Sequence, residues 1–234
     1  MKRFVVSISL LMISLFMPKI SLAQDWANLN YYKNANTKLG LPSPGENRIV
    51  FMGNSITEAW KNYSPDLFEE KSYVNRGIGG QTTPQMLGRF KSDVLDLKPS
   101  LLIILAGTND IAGNTGPITI KETSDNIKSM VAQAMANGIE VILSSVLPVY
   151  DYPWSPGLDP ADKIIELNEI LKNHAQQNKI MYLDYFSSMV DDRKGLKSEY
   201  SDDGVHPNKE GYKIMTKLVN IAIVEVLSNN KPDK

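Results

Sequence analysis

In Arg48-Ile49-Val50-Phe51-Met52-Gly53-Asn54-Ser55-Ile56-Thr57, a brief apolar run stops at a glycine and gives way to polar, turn-forming residues. An apolar run this short, bounded by a turn signal, is the pattern of a strand ending in a loop. The pattern recurs. Ser72 to Asn75 is a weaker run ending in Arg76-Gly77-Ile78-Gly79-Gly80, and Ser100–Ala106, Ile139–Ser144 and Lys179–Asp184 are rich in Ile, Leu and Val. Runs of that composition fit strands buried on both faces. Five strands are expected.

Helical stretches with recognisable ends separate them. Asp25 to Leu39 carries Asp25 as an N-cap with Trp26 and Leu29 at helical spacing, followed by Leu41-Pro42-Ser43-Pro44-Gly45, and reads as a short helix and a linker. Thr83 is expected to cap a helix with Pro84 at its first position. Thr119 and Glu122 form a capping-box pattern for a helix that Gly138 stops. Asp159-Pro160 opens a helix with Ile164, Leu167, Leu171 and Ala175 along one face, and a last helix runs from about Lys209 to Leu227. Strands alternating with helices predict a parallel sheet covered on both sides, a three-layer α/β/α domain.

In open α/β sheets, ligand sites lie beyond the carboxyl ends of the strands. Four segments stand there: Gly53-Asn54-Ser55, Gly79-Gly80-Gln81-Thr82, Gly107-Thr108-Asn109-Asp110, and Asp203-Gly204-Val205-His206-Pro207-Asn208. A serine hydroxyl becomes a good nucleophile when a base takes its proton, and the base works best when a carboxylate fixes its tautomer. Of the two histidines, His174 flanks an apolar helical stripe, the usual setting of a surface residue, whereas His206 sits in a strand-end loop three residues after Asp203. Ser55 is therefore the candidate nucleophile, His206 its base and Asp203 the orienting acid, with Asp202 a rival for that last role. Read alone, Ser55 is equally a helix N-cap, and Asp203 to Asn208 equally a turn leading into the last helix. The coincidence of four segments on one rim favours chemistry. Acyl transfer also needs donors for the tetrahedral oxyanion. The N–H groups of Ser55 and Gly80 and the carboxamide of Asn109 are candidates.

These residues resemble the SGNH hydrolases, also called GDSL-type esterases and lipases, over nearly all of the chain after its leader. Gly53-Asn54-Ser55-Ile56-Thr57 is similar to the family's first block, Asn75 to Gly80 to its second, Gly107-Thr108-Asn109-Asp110 to its third, and Asp203 through His206 to its last. The resemblance implies a flavodoxin-like five-stranded parallel sheet ordered 2-1-3-4-5. It also implies Ser55, Asp203 and His206 as the triad, with Ser55, Gly80 and Asn109 as the oxyanion hole. Asn54 departs from the family's usual aspartate, keeping the size and one acceptor while losing the charge. Thr57 stands where an α/β-hydrolase elbow needs its second glycine, and no phosphate-binding lysine follows Gly77 to Thr82. No cluster of His, Cys and carboxylates has metal-ligand spacing, so no metal and no organic cofactor is implied.

The 234-residue chain has 25 basic and 26 acidic residues, a net charge of −1 and no cysteine. Nothing in that balance attracts nucleic acid, and the core relies on packing without disulfides. Lys2 and Arg3 precede an apolar stretch from Phe4 to Met17, and Ser21-Leu22-Ala23 sets small residues at a cleavage site. This reads as a signal peptide over residues 1–23, against an uncleaved membrane anchor, followed by an N-terminal extension over 24–47 and a hydrolase domain over 48–230. Export, and no stable membrane association after cleavage, are the expectation. Tyr150, Tyr152 and Trp154 follow the fourth strand, where aromatic rings either stack on a sugar or anchor the loop. The expected substrate is a small-molecule or carbohydrate ester with a short acyl group, acetyl by resemblance to secreted bacterial acetylesterases. Lysophospholipase, platelet-activating-factor acetylhydrolase-like and thioesterase activities, and a non-catalytic carbohydrate-binding module, are the alternatives. Oligomeric state is not legible in the sequence.

Overall fold

A computed structural model describes residues 25–69 and 72–229. The signal-peptide reading and its cleavage site fall outside the described residues. Five strands, β1 (Ile49–Gly53), β2 (Tyr73–Gly77), β3 (Leu101–Leu105), β4 (Glu140–Ser144) and β5 (Met181–Leu183), form one sheet ordered β2-β1-β3-β4-β5. All neighbouring pairs are parallel. The helices are α1 (Lys33–Leu39), α2 (Ser55–Tyr63), α3 (Pro65–Glu69), α4 (Thr83–Asp93), α5 (Thr108–Ile111), α6 (Ile120–Ala136), α7 (Pro160–Asn178), α8 (Phe186–Met189) and α9 (Lys209–Asn229).

Because side chains alternate along a strand, β1 and β3 build both cores at once. Val50, Met52, Leu102 and Ile104 face Met86 and Phe90 of α4, Ile127 and Val131 of α6, and Ile164, Leu167, Leu171 and Ala175 of α7. Ile49, Phe51, Leu101, Ile103 and Leu105 face Ile56 and Trp60 of α2 and Met215, Val219 and Ile223 of α9. These are the three predicted layers. The strand order reverses between β1 and β3, so the crevice at their carboxyl ends is the natural ligand position. Ser55 follows one of these strands and Asn109 the other.

Three local expectations are corrected. Residues 25–32 form turns and the helix begins only at Lys33. The Asp25 carboxylate accepts the N–H groups of Leu29 (2.7 Å) and Asn30 (2.9 Å), and Asn28 at φ 56° breaks any helical path. The cap of α4 is Thr82, whose N–H is accepted by Gln85 at 3.1 Å; Thr83 is inside the helix. Gly53 and Gly77 are not turn residues but the last, mutually paired residues of β1 and β2. Gly77 lacks a side chain because α2 passes over it. A Cβ there would lie 2.1 Å from the Glu58 backbone nitrogen.

Candidate active site

Asn54, between β1 and α2, is buried and accepts the Ile56 N–H at 3.4 Å, so its side-chain oxygen caps the helix that Ser55 begins. The one acceptor that asparagine shares with aspartate is the one in use. Position on the sheet is set by aromatic packing. Phe51 of β1 meets Trp60 of α2 edge-on with ring centroids 5.7 Å apart. Two hydrogen bonds then tie α2 to α9: the Trp60 indole N–H donates to Thr216 Oγ1 at 2.9 Å, and the Tyr212 hydroxyl to the Ile56 carbonyl at 2.8 Å. The helix after Ser55 is thereby fixed to the helix after His206.

The structure brings Ser55, His206 and Asp203 together. Ser55 Oγ lies 3.0 Å from His206 Nε2, and His206 Nδ1 lies 2.7 Å from Asp203 Oδ2. An ionised carboxylate only accepts, so Nδ1 carries the proton and the Nε2 lone pair of the neutral ring faces the serine. The other oxygen, Asp203 Oδ1, accepts the Val205 N–H at 2.8 Å and the His206 N–H at 2.7 Å. Burial alone would raise the Asp203 pKa, but the hydrogen bonds from the His206 ring and from the His206 and Val205 amides outweigh it and hold the carboxyl below its ordinary value. Asp202 is turned away, accepting from Asn208 Nδ2 at 3.3 Å. Sequence reading missed Ser201. Its hydroxyl donates to the His206 carbonyl at 2.7 Å and accepts the Gly204 N–H at 2.9 Å, closing the loop that carries Asp203 and His206. His174 remains on α7, paired with Asn178.

Beside Ser55, Gly79 and Gly80 form the middle of a turn closed by the Gln81 N–H on the Ile78 carbonyl at 3.4 Å, with Gly80 at φ 73°. Positive φ at the third residue alone is the type II geometry that favours glycine. Asn109 is buried and donates one carboxamide hydrogen to the Gln81 carbonyl at 3.0 Å, leaving its second for a ligand. Beneath this rim runs a buried chain that no local pattern reveals. Arg89 donates to the Gly53 carbonyl at 3.0 Å, to Gln81 Oε1 at 2.5 Å and to Asp93 at 3.0 Å. One guanidinium therefore joins the end of β1 to the Gly80 turn.

Asp110 is turned inward, accepting the Thr83 hydroxyl at 2.5 Å and its N–H at 3.0 Å. Burial raises its pKa to about 6, with the Thr83 hydroxyl and amide opposing the rise. The three aromatic candidates separate. Tyr152 is completely buried and bonds Thr108, donating to its carbonyl at 2.8 Å, so it supports the Asn109 turn from behind and presents nothing to a ligand. Of the two roles expected for Tyr152, sugar platform and loop anchor, its burial and its bond to Thr108 fit the anchor and leave no face for a substrate. Tyr150 is exposed beneath the Arg193 guanidinium, 5.2 Å from its ring centre. Trp154 is half-exposed with its ring 5.9 Å from the His206 imidazole.

The model of the GDSL-like lipase/acylhydrolase family matches residues 51–214. A crystal structure of a Bacteroides fragilis protein assigned as an acylhydrolase is 50% identical, with a TM-score of 0.85, covering 87% of this chain and 99% of the other. The acetylxylan esterase of Xylanibacter ruminicola is 24% identical over 78% of this chain and 45% of its own, so the chain spans less than half of that enzyme. The alpha2 subunit of platelet-activating factor acetylhydrolase IB from Rattus norvegicus is 24% identical over 80% of each chain.

Proposed function

The chain belongs to the GDSL-like lipase/acylhydrolase family, a family of carboxylic-ester hydrolases, and from that membership we propose that it is an exported serine esterase removing short acyl groups, acetyl foremost, from carbohydrate. The observation that carries the reading is the continuous relay from Ser55 Oγ through His206 to Asp203, at 3.0 and 2.7 Å. His206 Nε2 takes the Ser55 proton as Oγ attacks the ester carbonyl. The carbonyl electron pair moves onto oxygen, where the N–H groups of Ser55 and Gly80 and the free carboxamide hydrogen of Asn109 receive it. Collapse expels the sugar oxygen, which takes the proton back from His206. Water, deprotonated by the same imidazole, then releases the acyl group and restores the serine.

Trp154 supports a carbohydrate leaving group, since an exposed indole beside the base offers a face on which a sugar ring stacks. The similarity to an acetylxylan esterase points the same way. In this reading residues 1–23 direct export and are removed, 24–47 are an N-terminal extension, and 48–230 form the hydrolase domain. No helix among the described residues is long and apolar enough to cross a membrane. Ser55→Ala tests the assignment. It should lower kcat for p-nitrophenyl acetate by on the order of 10⁴-fold or more with an unchanged melting temperature; wild-type activity in that variant would sink the mechanism. Acetylated xylan run beside p-nitrophenyl acetate, butyrate and octanoate tests the substrate. A preference for octanoate would overturn the carbohydrate reading, and inertness towards every ester would favour a binding module.

A further inference from the structure

The Gly79–Gly80 peptide is the one element of the proposed oxyanion hole with freedom to turn over, because glycine tolerates both signs of φ and a turn keeps its closing hydrogen bond when its central peptide flips. Such a flip carries the Gly80 N–H out of the site. The two neighbouring peptides are anchored. On one side the Gly80 carbonyl accepts from Asn114 Nδ2 at 3.1 Å. On the other the Gly79 N–H donates to Glu58 Oε2 at 2.9 Å. Glu58 sits in the first turn of α2, three residues after Ser55, and its second oxygen accepts the Tyr31 hydroxyl from the N-terminal extension.

The extension reaches this loop at further points. Tyr32 donates its hydroxyl to the Gly77 carbonyl, Gln81 Nε2 donates to the Ala27 carbonyl at 3.0 Å, and Gln85 Nε2 donates to the Trp26 carbonyl at 2.8 Å. A carboxylate close to a developing oxyanion opposes it by its charge, and hydrogen bonds donated to its oxygens moderate that opposition without removing it. Here one oxygen is held by Gly79 and the other by Tyr31. A Cβ at Gly79 would stand 3.0 Å from Glu58 Oε2 and 3.9 Å from the Ser55 Cβ, so carboxylate, turn and nucleophile are immediate neighbours.

Resting on the reading of Gly80 as an oxyanion donor, we propose that Glu58, held by Tyr31, is a positioning residue that latches the Gly79–Gly80 turn with the Gly80 N–H facing the substrate. The N-terminal extension is then a working part of the active site. Glutamine keeps both contacts, accepting from Gly79 with its oxygen and donating to Tyr31 with its amide; alanine keeps neither. The test is kinetics on p-nitrophenyl acetate together with inhibition by ethylboronic acid, whose serine adduct places an oxygen in the hole. Glu58→Ala should lower kcat by about ten- to a hundredfold, less than outright loss of a donor, with KM unchanged. The boronate Ki should rise by the same factor as kcat/KM falls. Tyr31→Phe, at an exposed position, should show a smaller change of the same kind, and Glu58→Gln should stay near wild type.

Wild-type kcat and boronate affinity in Glu58→Ala would overturn the latch. Equal losses in the alanine and glutamine variants would overturn it too, since charge rather than hydrogen bonding would then be responsible. Asn109→Ala separates the levels. If it weakens boronate while Glu58→Ala does not, the latch fails and the oxyanion hole stands; if neither variant weakens boronate, the hole fails and takes the latch with it.

Discussion

Replacing Gly77 by alanine should damage catalysis from a residue that contributes no chemical group. The added Cβ would lie 2.1 Å from the Glu58 nitrogen and 2.7 Å from the Asn54 carbonyl, well inside the 3.0 Å below which real Cβ contacts essentially never fall. Both obstacles are backbone, so no side chain can swing aside. To clear the nitrogen alone, the first turn of α2 must retreat by about 0.9 Å from β2. Ser55 begins that turn, whereas His206, although α9 behind it is tied to α2, is also held within its own loop by Asp203 and Ser201 and does not follow the shift in full. The 3.0 Å bond between Ser55 and His206 is therefore displaced from its resting geometry. A misplacement of about 1 Å costs on the order of a hundredfold in rate, and overpacking of this kind costs about 1–3 kcal/mol of stability. Steady-state kinetics on p-nitrophenyl acetate and urea unfolding would measure the two effects. Gly138→Ala, strained by its φ of 71° but with nothing within 4 Å of the new Cβ, is the control for backbone strain that moves no neighbouring helix. A folded Gly77→Ala enzyme with wild-type kcat would refute the claim that this close approach positions the nucleophile.

Asp110 predicts a pH dependence of stability. Its pKa is raised from the ordinary 3.8 to about 6 by burial, so its favourable contribution is fully present below 3.8 and is lost as pH rises through about 6. That interval corresponds to about 3 kcal/mol. The stability of the wild type relative to Asp110→Asn should fall by about that amount between pH 3.5 and 7 in paired urea titrations, and a constant difference would contradict it. Tyr152 and Trp154 should behave oppositely despite standing two residues apart. Tyr152→Phe removes the buried bond to Thr108 and should cost about 1 kcal/mol in thermal unfolding with little change in KM. Trp154→Ala should raise KM for acetylated xylan much more than for p-nitrophenyl acetate; equal rises would count against a sugar platform.

The fold was legible because its determinants are local. The apolar runs of β1, β3 and β4 need no partner to be recognised, and Ile164, Leu167, Leu171 and Ala175 announce the buried face of α7 by spacing alone. Strand ends were read less well. Gly53 and Gly77 look like turn residues, but they pair with each other across the sheet, and what requires glycine at Gly77 is the helix passing over it. In the same way, Asp203 and His206 are visible three residues apart, while the bond from Arg89 to the Gly53 carbonyl spans 36 residues and leaves no periodic trace. Glu58 carries no signal of its own either, since an acidic residue in the first turn of a helix is already explained by the helix dipole. Tyr152 stayed undecided between sugar platform and loop anchor, because composition says that a loop has aromatics without saying which way they turn.

Ser55 and His206 stand 151 residues apart in the chain, and the bonds of Tyr212 and Thr216 that fix their elements to each other belong to α9. A ribosome adding about 5–20 residues each second makes Ser55, the proposed nucleophile, roughly 8 to 30 seconds before His206, its proposed base. Throughout that interval the serine has no proton acceptor and is an ordinary hydroxyl. The nascent chain is consequently harmless to esters around it. Under the proposed mechanism reactivity needs both elements, so turnover in a refolding sample should report only molecules in which α9 has docked.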